Sequence, residues 1–287
     1  MSANPAISII MPAFNEAAVI GRTLEHLIDD GVSNALKSGA WQLIIVANGC
    51  RDNTVEIIRQ GWPDVTILEL AQASKTAALR AGAALATGPA WVVMDADIDV
   101  RPSDIKALVA GLDAEAAVAA IGQFQPNTAT AGYLVRLFYA AWRHHPYFDG
   151  GKFGGCYALK ASDTGHLLET IPDLTNDDEW IAREVAKLGK TSETKAQIRT
   201  NAPRGLGDLI RVRRRIYRGN AELAGLAKQG IKQGANRRLG TRHLIKRLAV
   251  RPQLWPAGLC YFGVNSVAKI TNVFNLQSTD WEQAKRY

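Results

Sequence analysis

The chain has 287 residues, 47% of them hydrophobic and 21% charged, a balance that excludes a disordered, collagenous or coiled-coil protein and leaves a globular chain able to bury a core without staples. Its three cysteines, Cys50, Cys156 and Cys260, are odd in number and far apart, which excludes a disulfide framework or a zinc ladder and points to a reducing compartment. The net charge of +7 is uneven: Arg199–Arg251 hold fifteen Lys/Arg against Asp208 and Glu222, a local excess of +13 that leaves the rest of the chain at −6.

In chain order, the opening MSANPAISIIMPAF lacks the basic start of a signal peptide, so none is expected, and runs into Ile7–Met11, a continuous apolar run that reads as a buried strand. Glu16–Ile28 carries a helical stripe at Val19, Ile20, Leu24 and Leu27. Leu43–Ala47 is the second strand, and a helix opens at Asn53–Ile58 with Asp52 or Asn53 as its cap. Val65–Leu70 is the third strand, Ser74–Ala86 an Ala-rich helix stopped by Gly88, and Trp91–Met94 the fourth strand. Pro102 then starts a helix that runs to Leu112. Repeated strand–helix–strand units predict a parallel sheet covered on both faces, with ligands beyond the carboxyl ends of its strands. Those ends are Pro12–Glu16, Asn48–Thr54 and Asp95–Asp99. Beyond them, Tyr133–Trp142 and Asp177–Leu188 read as helices, Gly150–Lys160 as a glycine-rich turn and strand, and Asp208–Leu226 as a basic helix.

The run MDADID places Asp95, Asp97 and Asp99 at the end of a buried strand, where alternation turns Asp95 and Asp97 to one side. Two carboxylates held together there suit a hard divalent ion shared with phosphate oxygens, while capping of the next helix is the plainer alternative. Asp177 and Asp178 open a helix, where acids are also favoured by the dipole alone. His144–His145 lack a partner at metal-ligand spacing, Cys50 lacks a nearby base, and Trp142 and Tyr147 read as core aromatics or sugar-stacking rings. The run Leu254–Ala268 is too short for a spanning helix and contains Pro256, Gly258 and Asn265, so it reads as interfacial or as packed on the body. Trp255 and Tyr261 beside Lys246, Arg247, Arg251 and Lys269 suit a membrane surface. No nucleic-acid motif is present, and nucleic acid is not an expected partner.

Four ordered segments carry a resemblance. ISIIMPAFNEAAVIGRTLEHL, LIIVANGCRDNT, SKTAALRAGAALATG and MDADID resemble the strand–turn–helix, second-strand turn, lysine helix and D-x-D of family 2 glycosyltransferases of the GT-A fold. GGKFGGCYALK, TNDDEWIAREV and VRRRIYRG resemble that family's acceptor-side glycines, its acid-pair helix with Arg183 trailing, and its Q-R-x-R-W-x-R-G segment. Val212 and Ile216 replace the Gln and Trp of the last.

The resemblance implies an α/β, GT-A-type nucleotide-diphospho-sugar transferase fold: a central, mostly parallel sheet flanked by helices, with a basic helical C-terminal appendage. It implies a catalytic domain over 1–198, with a nucleotide-binding half at 1–112 and an acceptor half at 113–198, followed by a helical region at 199–287. Pro12, Ala13, Asn15, Glu16, Asn48, Asp52, Lys75 and Asp95 would form the nucleotide pocket, and Asp97 would bind Mn²⁺ or Mg²⁺ through the diphosphate. Asn48 stands where the family has a base-reading aspartate, which puts the usual uracil preference in doubt. Asp178, with Asp177 as fallback, would be the general base. Arg213, Arg215 and Arg218 would steady the leaving diphosphate, and Gly154, Gly155 and Cys156 would line the acceptor side.

The implied activity is inverting transfer of a sugar from a nucleotide-sugar donor to a glycan or glycolipid hydroxyl. The expected setting is cytoplasmic, peripheral to the inner face of a bacterial plasma membrane, in surface-glycan or glycolipid synthesis. The other readings are a non-catalytic scaffold on a degenerate fold, kept open by Asn48, Val212 and Ile216, and a sugar-1-phosphate nucleotidyltransferase. The absence of a Gly-rich G-x-G-T-R loop argues against the last.

Overall fold

The computed structural model describes residues 5–149, 152–228 and 237–274. The chain divides into two compact units. The first takes the chain up to Gln125, then Gly151–Asp173 and Asp177–Thr200; the second takes Pro126–Gly150, Leu174–Asn176 and the chain from Asn201 onward.

The first unit is built on an eight-stranded sheet. Its elements in chain order are β1 (Ile7–Ala13), α1 (Ile20–Leu27), α2 (Asp30–Lys37), β2 (Trp41–Asn48), α3 (Thr54–Gly61), β3 (Thr66–Leu70), α4 (Lys75–Leu85), β4 (Ala90–Met94), β5 (Ile98–Asp99), α5 (Pro102–Ala110) and β6 (Ala117–Asn127). After α6 (Tyr133–Trp142) of the second unit come β7 (Lys152–Lys160), α7 (Ala161–Glu169), α8 (Asp177–Leu188) and β8 (Lys190–Asn201). The strand order is β3-β2-β1-β4-β7-β6-β8-β5. The first four strands are mutually parallel, with Ala13 in register with Ala47, so β1, β2 and β4 deliver their carboxyl ends to one edge. β7 runs antiparallel to β4, pairing Met94 with Cys156, and β5 runs antiparallel to β8.

Two-sided burial explains the unbroken apolar runs. In β1, Ile7, Ile9, Met11 and Ala13 enter one core with α1, α3 and α5, while Ile10 enters the other with α4, α7 and α8. β4 splits the same way: Val92 and Met94 go to the first face, Trp91 and Val93 to the second. The helix begun at Glu16 starts later than its stripe suggests, because Glu16 O accepts the Val19 and Ile20 N–H groups in a turn. Pro102 does open α5, and Ser74 caps α4 by accepting the Ala77 N–H.

The second unit contains α6, α9 (Leu206–Lys228), α10 (Arg237–Ala249) and α11 (Trp255–Phe274). Its core joins Val135, Phe138 and Tyr139 to Leu209, Leu244, Leu248, Ala257, Tyr261 and Val264. Pro126–Gly150 therefore packs with the C-terminal helices, whereas the sequence assigned it to an acceptor half ending at residue 198. No helix among the described residues is long and apolar enough to cross a membrane.

Gly155 in β7 has φ +75°, and a Cβ there would lie 2.5 Å from Ile98 Cδ1. Its carbonyl also accepts the Asp95 N–H at 2.7 Å. Gly155→Ala is expected to cost about 1–3 kcal/mol through strain and overpacking, read as a lower urea midpoint at unchanged slope.

Candidate active site

The site is assembled at the carboxyl edge of β1, β2 and β4, where three loops knit together through side chain-to-backbone bonds. Asn15, at φ 52°, accepts the Arg51 N–H at 2.8 Å through its side-chain oxygen. Asp52 accepts the Ala17 N–H at 3.0 Å and also holds the Thr54 N–H and hydroxyl. The Thr54 hydroxyl oxygen accepts the Glu16 N–H at 2.8 Å. Cys50 closes the seam: its thiol donates to Ala13 O and receives the Asn15 N–H, each at 3.4 Å. Burial raises the Cys50 pKa, an effect the Asn15 N–H partly offsets.

Asn48 is buried, and its amide is spent inside the protein. Its nitrogen donates to Ala13 O at 2.8 Å and its oxygen accepts the Ser74 N–H at 3.1 Å. It thus ties the ends of β1 and β2 to the start of α4. Gly49, at φ +70°, permits the same convergence, since a Cβ there would lie 2.7 Å from the Ala73 nitrogen.

Lys75 opens α4, and its ammonium lies 2.7 Å from Asp95 Oδ1 and 2.8 Å from Asp177 Oδ2. Burial favours the neutral amine, but the Asp177 and Asp95 carboxylates outweigh it and hold the Lys75 pKa well above its usual value. One partly buried cation therefore joins the D-x-D strand end to the acid pair at the start of α8. Asp178, next along, is half-buried, whereas Asp177 is buried against Lys75.

Asp95, Asp97 and Asp99 are all partly exposed while Ala96, Ile98 and Val100 are buried, the alternation expected of an extended segment. Asp99 is drawn elsewhere, bonding His26 Nδ1 at 2.8 Å. Among the described residues no three His, Cys, Asp or Glu side chains form a ready-made metal cage. Asp97, with Asp95 beside it, still offers the hard oxygens that suit a divalent ion completing its shell with substrate phosphates.

Pro12 and Ala13 are buried at the end of β1, with Ala13 contributing its carbonyl oxygen. Gly154 and Gly155 lie in β7. Cys156, expected on the acceptor side, is instead wholly buried opposite Met94, and burial raises its pKa. Gly150 and Gly151 lie outside the described residues. Arg183 pairs with Glu179 one turn earlier in α8.

The sequence reading missed Thr54, Ser74 and Tyr157. Thr54 and Ser74 act through hydrogen bonds between loops, which residue type does not reveal. Tyr157 is buried in β7, and burial, then the Asp178 and Asp177 charges, raise its phenol pKa.

The three arginines belong to the second unit. Arg213 donates to Asn265 Oδ1 at 2.8 Å, and its guanidinium lies 5.8 Å from the Phe138 ring centroid and 5.9 Å from that of Trp142. Its charge serves helix packing there. Arg215 and Arg218 are half-buried further along α9. His144 bonds Arg251 rather than any metal-ligand set, and Trp142 lies among Phe138, Tyr139 and Phe148.

The sequence pattern described as glycosyl transferase family 2 matches residues 8–159, which contain the whole β1–β4 edge and the aspartates. The chain belongs to that family. It is 30% identical over 112 residues to an uncharacterized glycosyltransferase, YibD, of Escherichia coli, covering 38% of this chain and 31% of that one. A Bacillus subtilis counterpart, YkcC, is 32% identical over 113 residues, covering 38% and 34%. The matches thus span about a third of these relatives' lengths. A mannosyltransferase from Pyrobaculum calidifontis, solved with GDP-Man and Mn²⁺, superposes with TM-score 0.58 at 19% identity, covering 96% of this chain and 76% of that one. Glucosyl-3-phosphoglycerate synthase from Mycobacterium tuberculosis, solved with Mn²⁺, UDP and glucosyl-3-phosphoglycerate, gives 0.53 at 19% identity, covering 71% and 75%. The fold is that of GT-A glycosyltransferases.

Asn48→Asp would restore the aspartate of the family pattern but remove the donor to Ala13 O. It is expected to lower stability by about 1–3 kcal/mol, the cost of losing that bond and setting a buried carboxylate against the Ala13 carbonyl, measured by denaturant unfolding.

Proposed function

We propose that the chain transfers a sugar from a nucleoside diphosphate donor to a hydroxyl acceptor, with inversion at the anomeric carbon. The observation that carries this reading is the Lys75 bridge, which gathers Asp95 and Asp177 around one cation. Family membership supports it, as do the similar solved structures holding Mn²⁺ with GDP-Man or with UDP.

In this reading Asp97, aided by Asp95, holds Mn²⁺ or Mg²⁺, which when bound supplies Lewis-acid relief of charge on the diphosphate. Asp178 accepts the proton of the attacking hydroxyl as the new carbon–oxygen bond forms and the bond to the diphosphate breaks. Asp177 stays paired with Lys75, and Asp178 is the less buried of the two acids. With both ends of the Asn48 amide satisfied internally, base selection falls to other groups in the loops. Synthesis of a surface glycan or glycolipid remains the proposed setting.

The test pairs nucleotide binding with turnover. Mn²⁺ or Mg²⁺ together with UDP, GDP or dTDP should raise the melting temperature of the wild type, and Asp97→Ala should abolish the metal-dependent part. A wild type unresponsive to every combination would reject the donor site.

Asp178→Asn should keep that thermal response yet release nucleoside diphosphate from the sugar donor about 10²-fold more slowly or worse. A fully active Asp178→Asn beside a dead Asp177→Asn would move the base to Asp177.

A further inference from the structure

The exposed apolar side chains of this protein are concentrated in one unit. Among the described residues ten large hydrophobic side chains are exposed, and eight of them lie in the second unit: Tyr133, Leu134, Ile245, Val250, Trp255, Leu259, Val267 and Ile270. α11 organises this surface. Ala257, Tyr261, Val264 and Ala268 face the helical core, while Trp255, Leu259, Gly263, Ser266 and Ile270 recur at helical spacing on the opposite side. Trp255 is 56% exposed, Leu259 76% and Ile270 58%, and Lys269 is the sole charged residue of α11. A surface helix ordinarily turns charge outward, so this outward face is inverted.

Basic residues frame it. Arg237–Phe274 contain seven Lys/Arg and no Asp or Glu. Arg242 and Lys246 are exposed on α10 beside Ile245, and Arg251 is exposed next to Val250, itself 77% exposed. Leu134 of α6 lies against the same helix, its carbonyl accepting the Cys260 thiol.

We propose that this surface of the second unit docks onto an anionic lipid membrane, with α11 lying in the interfacial plane. Trp255, Leu259 and Ile270 enter the boundary between headgroups and acyl chains. Arg242, Lys246 and Arg251 meet the lipid phosphates. The charge selects this occupant over a second copy of the chain, which would set like charge against like. Tyr261, expected from the sequence to meet lipid, is buried and supports α11 from behind. The proposal is independent of the glycosyl-transfer reading, and its test has no activity readout.

The test is co-sedimentation of the full chain with phosphatidylcholine vesicles, with and without phosphatidylglycerol. Binding is expected to phosphatidylglycerol-containing vesicles and to weaken with salt. Leu259→Glu with Ile270→Glu should reduce partitioning by about tenfold or more. Arg242→Glu with Lys246→Glu should do so by a similar factor, about fivefold for each charge lost. Both pairs alter exposed positions, and circular dichroism with a melting curve checks that they stay folded. Failure of the folded wild type to bind anionic vesicles would overturn the proposal, as would undiminished binding by folded Leu259→Glu/Ile270→Glu. A dimer in sedimentation equilibrium that this variant dissolves would assign the face to a second copy and equally overturn it.

Discussion

A single, largely enclosed ammonium group sets the terms for the site. Lys75 sits between Asp95, at the end of β4, and Asp177, at the start of α8. Removing a lysine from water is costly, and two carboxylates close together repel, so neither arrangement is stable without the other. Met94 leads directly to Asp95 and is held between β1 and β7 by the sheet, while α8 packs through Ile181 and Val185 on the opposite face. Elements far apart in sequence are thereby fixed by charge at one point. The two adjacent acids differ in setting: Asp177 is buried against Lys75, and Asp178 is at the more exposed position.

The loops around that point obey a second constraint: polar groups near the edge must find partners. Asn15, Asn48, Asp52 and Thr54 meet it by bonding backbone groups of neighbouring loops. Several side chains expected to face a nucleotide are therefore engaged in holding neighbouring loops together. Asn48 shows the distinction well. A carboxylate accepts but cannot donate, so an aspartate here could not make the bond that the Asn48 amide gives to Ala13 O.

The β1–β4 half was legible because its signals are local. Ile7–Met11 and Trp91–Met94 are apolar runs buried on both faces, and Ser74 and Pro102 are ordinary helix starts. The second half hid its strands. β8, KTSETKAQIRTN, is polar along most of its length, with Ala196 and Ile198 the apolar residues it buries. α2 was missed because DGVSNALK buries Val32 alone, and its start depends on Asp29 accepting the Val32 N–H. α10 is so basic that its apolar residues do not form a readable stripe. At the site, the motif aspartates could be picked out by residue type and place on the strand, and Lys75 by the family resemblance, but the Lys75–Asp177 contact joins positions 102 apart, which no local pattern encodes. Cys156 misled because it shares a segment with Gly154 and Gly155, while strand alternation turns it into the core.

The interleaving of the two units has a consequence for how this protein can be cut or recombined. Pro126–Gly150 interrupts the sequence of the sheet-based unit yet supplies Val135, Phe138 and Tyr139 to the helical core. No single truncation point can therefore yield one intact unit. A fragment ending near residue 198 would leave an aromatic helix without its partners, and a fragment starting there would lack the wedge that its helices close upon. For inheritance the two units form one indivisible module, so shuffling a C-terminal cassette onto another catalytic body would fail unless α6 travelled with it.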